Sequence, residues 1–284
     1  MENISFQVKI NAAKEKVWNC LWDLIYYQTW TSVFAEISTV ITDNWKEGSK
    51  IFFVDHSGNG MVSKILCNKE NGTMTFQHLG MIKDGIEDTT SDEMKTWSGA
   101  TESYHVVEHE GTTTLSASLD SNEQMKDFFS STFPLALEKV KGLAEGTVKP
   151  IITVIATVNA PVSKVWENWT KPEHITKWNQ ANDDWHCPAS NNDVKTGGKF
   201  STTMAAIDGS FSFEFGGDYN EVKENEMIAA TLGDGRMWKT YFKPNGNTTT
   251  VIERFEAEAM NSLELQQGGW QAILNNFKKY TETN

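Results

Sequence analysis

Metal and nucleophile chemistry would have to come from the scattered titratable residues, beginning with six histidines: His56, His78, His105, His109, His174 and His186. A metal site needs such residues paired on one helix face or at one turn. His105 and His109 are four apart, but they fall in a stretch of strand character. There a four-residue separation places them roughly 13 Å from each other. His186 and Cys187 are adjacent, with no second pair to complete a site. No metal or cofactor is expected. Cys20, Cys67 and Cys187 are odd in number and widely spaced, which predicts reduced thiols rather than a disulfide framework. No G-x-S-x-G elbow, phosphate loop or dinucleotide fingerprint occurs, and Gly58-Asn59-Gly60 reads as a hairpin turn. No catalytic residue is assigned. The remaining candidates are Glu253 and Arg254, neighbours on a strand-like stretch whose period of two sends them to opposite faces. One of them is available to an interior. A buried Arg254 would have to meet an acid or a ligand carboxylate; an outward Arg254 is simply solvated. Glu214 and Glu256 carry the same ambiguity.

The elements that would position these residues come twice. Val17-Trp18 recurs as Val165-Trp166, Asn11-Ala12 as Asn159-Ala160, Lys16 as Lys164, Trp30 as Trp178 and Phe52 as Phe200, each at an offset of 148. Two copies of one domain are expected, over residues 1–146 and 151–284, joined by a linker across Gly142 to Pro150.

The second copy is the easier to read. Ile151 to Val158 is β-rich, and Asn159-Ala160-Pro161 stops it. Pro161 suits the first turn of a helix, where its missing N–H is not needed. Val162, Val165, Trp166 and Trp169 then follow at helical spacing, and a second short helix runs from Pro172 to Trp178. From Lys199 the period becomes two. Strands are predicted at 199–206, 210–222, 227–232, 236–243 and 248–257, with Gly- and Asn-rich turns between them. From Ser262 the period is helical again, with Leu263, Trp270, Ile273, Leu274, Phe277 and Tyr280 on one stripe. Gly268-Gly269 interrupts it at a cost of about 2 kcal/mol against alanine, which predicts close packing or a bend.

The first copy follows the same plan. Its strands are expected at 4–10 and near 36–41, 50–57, 60–70, 73–82, 96–109 and 111–119, and its long helix from Asn122 to Glu145. Pro134 inside that helix predicts a kink or a restart. Asp84 to Lys95 is acidic and aperiodic and reads as an exposed loop.

Composition narrows the partners. The formal charge is −13, with −9 in residues 1–146, −5 in residues 151–284 and Lys149 supplying the balance. Both halves would repel nucleic acid and anionic membrane at long range. Only Arg236 and Arg254 could act as arginine clamps on a phosphate. No 18-residue apolar run exists and no leader pattern opens the chain, so no membrane insertion and a cytoplasmic location are expected.

The order of strand, two helices, strand meander and long helix calls for an α+β fold. An antiparallel sheet would curl around the last helix and leave a cavity beneath it. The pattern resembles the START-like superfamily, the helix-grip or Bet v 1-like fold. The second half is similar to the family of the Hsp90 ATPase activator C-terminal domain. The blocks that carry the likeness are Ala160 to Trp166, Trp178, Asp193 to Phe200, and Gly268 to Leu274. The first half keeps Ala12 to Trp18, Trp30 and Gly48 to Phe52, with Phe133 in the place of Trp270. The resemblance implies two tandem domains with apolar cavities that bind lipids, sterols or polyketides. It carries over no shared catalytic residue. The expected cavity residues are Trp178, Trp185, Phe200, Phe213, Trp238, Arg254, Trp270 and Phe277 in the second domain. Their counterparts are Trp30, Phe34, Phe52, Phe76, Trp97, Phe129 and Phe133 in the first. Binding of a small apolar or amphipathic ligand is the first reading. A chaperone-associated interaction module and a cyclase- or hydrolase-type enzyme are the alternatives. The second domain, as the less diverged copy, is expected to keep any activity.

Overall fold

Fifteen strands and seven α-helices build two sheets, one for each half of the chain, in the computed structural model, which describes residues 1–284. The chain divides into two units, Met1–Pro150 and Ile151–Asn284. Each is an α+β helix-grip domain: a curled antiparallel sheet with one long C-terminal helix and two short helices after the first strand.

The first unit runs β1 (Glu2–Ile10), α1 (Lys14–Trp22), α2 (Leu24–Trp30), β2 (Ser38–Ile41), β3 (Lys50–Asp55), β4 (Gly60–Lys69), β5 (Thr73–Lys83), β6 (Ile86–Asp88), α3 (Asp92–Lys95), β7 (Thr101–His109), β8 (Thr112–Ser121) and α4 (Glu123–Glu145). Its sheet order is β1-β8-β7-β5-β4-β3-β2, with β6 folded onto β5. The second unit runs β9 (Ile151–Val158), α5 (Val162–Thr170), α6 (Pro172–Trp178), β10 (Trp185–Asn192), β11 (Lys199–Ala206), β12 (Ser212–Lys223), β13 (Met227–Leu232), β14 (Met237–Asn245), β15 (Thr248–Glu256) and α7 (Leu263–Thr283). Its order is β10-β11-β12-β13-β14-β15-β9. In both units the first strand pairs with the last, and the rest is a meander.

Equivalent hydrogen bonds close each copy on itself. The backbone N–H of Asn11 donates to Glu145 Oε1 at 2.8 Å, and that of Asn159 to Glu282 Oε1 at 2.7 Å. The Thr113 hydroxyl donates to the Ala12 carbonyl at 2.6 Å, and Thr249 to Ala160 at 2.9 Å. The indole N–H of Trp30 donates to the Leu21 carbonyl at 3.1 Å, and that of Trp178 to the Asn168 carbonyl at 3.0 Å. The repeated tryptophans thus lock each pair of short helices by satisfying a carbonyl at a helix end. Asn122 and Ser262 cap α4 and α7 through their side chains.

Five points refine or add to the expectations from sequence. The residues 84–95 are not a bare loop. Asp84 and Gly85, both at positive φ, turn β5 into β6, and α3 then buries Met94. Helix α4 continues through Pro134 without a restart. Gly268 and Gly269 lie in an unbroken helix, and a Cβ at either would meet nothing within 4 Å, so close packing is not their role. The strand β10 escapes sequence reading because Pro188, Ser190 and the asparagines weaken its β character. An edge strand tolerates them.

The fifth point concerns the repeat itself. The offset is 148 as far as Trp30 and Trp178. From there Gly48 corresponds to Gly197, both at positive φ, and β3 to β11, at an offset of 149. Ile51 therefore takes the place of Phe200, and Phe52 turns to the outer face. No helix is long and apolar enough to cross a membrane.

Candidate functional site

A cavity of about 440 Å³ lies between the sheet and α7 of the second unit. Period-two alternation supplies one wall. Phe200, Thr202 and Met204 of β11, Phe213 and Phe215 of β12, and Trp238 of β14 all turn inward. Trp178 of α6 and Gly269, Trp270 and Ile273 of α7 supply the other wall. Trp270 stacks on Phe255 with ring centroids 3.9 Å apart, which fixes the helix on the sheet.

Two acids line the cavity: Glu258, half-buried, accepts the backbone N–H groups of Met260 and Asn261, and Glu253 alone is buried. Glu253 of β15 lies between inward Val251 and Phe255 and is 3% exposed. Its Oε2 accepts the indole N–H of Trp238 at 3.0 Å. Burial pushes its pKa up to about 8, and the indole hydrogen bond only partly opposes that rise. Near neutral pH the group is mainly a protonated acid, able to donate one hydrogen bond into the cavity.

Of the residues expected here, Trp178, Phe200, Phe213, Trp238 and Trp270 line the cavity. Three do not. Phe277 is fully buried behind the wall, with its ring 4.8 Å from Trp169 and 5.0 Å from Trp178. Trp185 stands outside the cavity against Phe211 and Phe213, at 6.2 and 5.9 Å. Arg254 follows Glu253 in the strand and so takes the opposite face. It is buried rather than solvated and does not reach the cavity. Phe213 lines the cavity and is still 45% exposed, which places it at the rim. Trp169, Phe215 and Tyr219 are additional lining residues.

The first unit encloses about 710 Å³ between its sheet and α4. Trp30, Phe34, Phe76, Trp97, Phe129 and Phe133 line it as expected. Phe52 does not; Phe53 takes its place, with its ring 5.0 Å from Phe76. A one-residue slip in a strand moves the whole apolar set to the other face, and the shift of the repeat from 148 to 149 is such a slip. Met94 and Trp97 enclose one side of the cavity from the inserted segment.

A polar chain crosses the floor of this cavity. Ser63 Oγ lies 2.9 Å from His78 Nδ1, His78 Nε2 lies 3.3 Å from Glu102 Oε2, and the Tyr104 hydroxyl donates to Glu102 Oε1. Burial, and then the Glu102 charge, hold the Tyr27 and Tyr104 phenols far above their ordinary pKa, so both stay neutral. Ser63 is fully buried and does not line the cavity, so it orients the imidazole rather than attacking a substrate. This cluster was not foreseen from the sequence. The one signal was spacing, since Phe76 and His78, like Glu102 and Tyr104, are two apart and share a face.

The cysteines are all free thiols. Burial pushes Cys20 and Cys187 up to about 11, so neither is an activated nucleophile.

The family described as activator of Hsp90 ATPase homolog 1-like protein matches residues 159–282. A protein of Cytophaga hutchinsonii with a solution structure is 56% identical, over 47% of this chain and 92% of that one, with a TM-score of 0.43. The solution structure of an AHSA1-like protein from Aeromonas hydrophila is 38% identical, over 47% of this chain and 92% of that one, with a TM-score of 0.45. A two-domain protein, the di-domain ARO/CYC BexL from the BE-7585A biosynthetic pathway, is 10% identical over 100% of this chain and 98% of that one, with a TM-score of 0.43. No curated protein matches the chain.

Proposed function

Because the chain belongs, through its second domain, to the activator of Hsp90 ATPase homolog 1-like family, we propose that this fold serves here as a small-molecule binder. The ligand is apolar or amphipathic and lies between the sheet and the C-terminal helix, with one site per domain. The observation that carries this reading is the aromatic-walled cavity of the second domain, with a single buried carboxyl aimed into it. Apolar walls with a few placed polar groups are the general form of a ligand site. The volumes, about 440 and 710 Å³, suit molecules of drug or lipid-fragment size. A chaperone-directed module would call for a broad exposed apolar face. Of the exposed aromatics of the second domain, Phe213 lines the cavity and Phe211 lies 6.0 Å from its ring.

Native mass spectrometry of the protein from its own host tests the reading. A bound small molecule at fixed stoichiometry is the expected result. An apo mass that persists after incubation with fatty acids, sterols and aromatic polyketides would overturn it in favour of the interaction module.

A second reading rests on the first domain. The chain of Ser63, His78, Glu102 and Tyr104 places an acid–base pair at the floor of the larger cavity, which favours proton-transfer chemistry of cyclase or hydrolase type there.

A further inference from the structure

We propose that the second domain's cavity takes an amine-bearing amphiphile in its cationic form, with Glu253 as the counter-charge and the rings of Trp178, Trp238 and Trp270 as its walls. This rests on the small-molecule reading above and names the chemical class that the site selects.

The argument begins with what Glu253 lacks. It is buried at 3% exposure on the inner face of β15, and the indole N–H of Trp238 is its hydrogen-bond donor. A neutral donor does not compensate a buried charge; a cation within contact does. The one cationic side chain lining the cavity, Arg236, is directed elsewhere. Its Nε lies 2.7 Å from Asp234 Oδ2 and its Nη1 3.0 Å from the Glu256 carbonyl oxygen. Burial raises the pKa of the carboxyl to about 8, and the Trp238 hydrogen bond opposes that rise only in part.

The three ligand charge types then separate on physical grounds. Where Glu253 is ionised, above about pH 8, an anionic amphiphile would put a second carboxylate beside it in a medium of low dielectric, which is repulsive. A neutral alcohol gains one hydrogen bond from the protonated acid, a modest term. A cation ionises Glu253, satisfies its second oxygen, and finds aromatic faces that attract positive charge. The net charge of −5 on residues 151–284 favours its approach.

The test uses the full chain and three probes matched in length: octylamine, octanol and octanoate. Isothermal titration at about pH 9 keeps the amine cationic and octanoate anionic, with Glu253 mostly ionised. Octylamine is expected to bind at least about tenfold more tightly than octanol, and octanoate most weakly. Glu253→Gln keeps the size of the side chain and an acceptor for Trp238. It is expected to remove the amine preference while octanol binding persists, which also shows that the cavity has stayed intact. Equal binding of amine and alcohol, or a preference that survives in Glu253→Gln, overturns the amine proposal and leaves the small-molecule reading standing. Binding of none of the three to the native chain overturns both.

Discussion

The indole N–H of Trp238 donates to the carboxyl of Glu253 at 3.0 Å across the inner face of the second sheet. The pair joins β14 to β15 and leaves one carboxyl oxygen turned to the cavity. Its arrangement is unusual because an acid is kept out of water without a cationic partner among the residues that bond it. Stability is given up at this position in exchange for a polar point inside an aromatic wall.

That exchange has a sign that can be measured. The folded-state pKa of Glu253, about 8, lies above its ordinary value of 4.5, so folding favours the protonated form. The cost of burying the charge is absent below about pH 4.5, grows as pH rises, and is complete above pH 8. Glu253→Gln is therefore expected to change stability little at pH 5. At pH 9 it should raise stability by several kcal/mol. Denaturant unfolding at the two pH values checks this, and an equal effect at both would show that the carboxyl is not desolvated.

The architecture was legible in the sequence because it is written in periods. Trp30 and Trp178, with the blocks before them, mark the repeat and the two short helices, and the stripe ending in Leu274 and Phe277 marks the long one. The registers were less legible. Phe52 matches Phe200 by eye, yet the extra residue before Gly197 makes Ile51 its counterpart and sends Phe53 to the cavity. A helix absorbs a one-residue error in alignment as a rotation; a strand converts it into the wrong face.

The register assignment yields a paired prediction. Phe53 packs against Phe76, Tyr27 and His78 on the inner face, whereas Phe52 lies over the Lys50 ammonium on the outer one. Phe53→Ala is expected to destabilise the first domain by about 2–3 kcal/mol. Phe52→Ala should cost under about 1 kcal/mol. Thermal unfolding of both variants decides the matter, and the reverse order would restore the 148-residue offset through β3.

The polar floor of the first cavity was not legible, because Ser63, His78 and Glu102 meet only once β4, β5 and β7 are in register. The buried His78 bridges a hydroxyl and a carboxylate, and removing it leaves both without that partner. His78→Ala is expected to cost about 2–4 kcal/mol. A double-mutant cycle with Glu102→Gln should give a coupling above about 1 kcal/mol. Additive effects would show that the 3.3 Å approach carries no energy.

The paired glycines give the most direct handle on the second cavity. Gly269 lines it, and neither Gly268 nor Gly269 would place a Cβ within 4 Å of another atom. In an exposed helix interior each glycine costs roughly 1 kcal/mol against alanine. Gly268→Ala should recover most of that with no effect on binding. Gly269→Leu carries four carbons into the open space beside Trp270. It should fill the cavity without disturbing the wall, so the domain stays folded, its unfolding midpoint holds or rises, and octanol binding falls at least about tenfold. Undiminished octanol binding in a folded Gly269→Leu protein would place the ligand outside this cavity, and the space beneath α7 would then be only a packing defect.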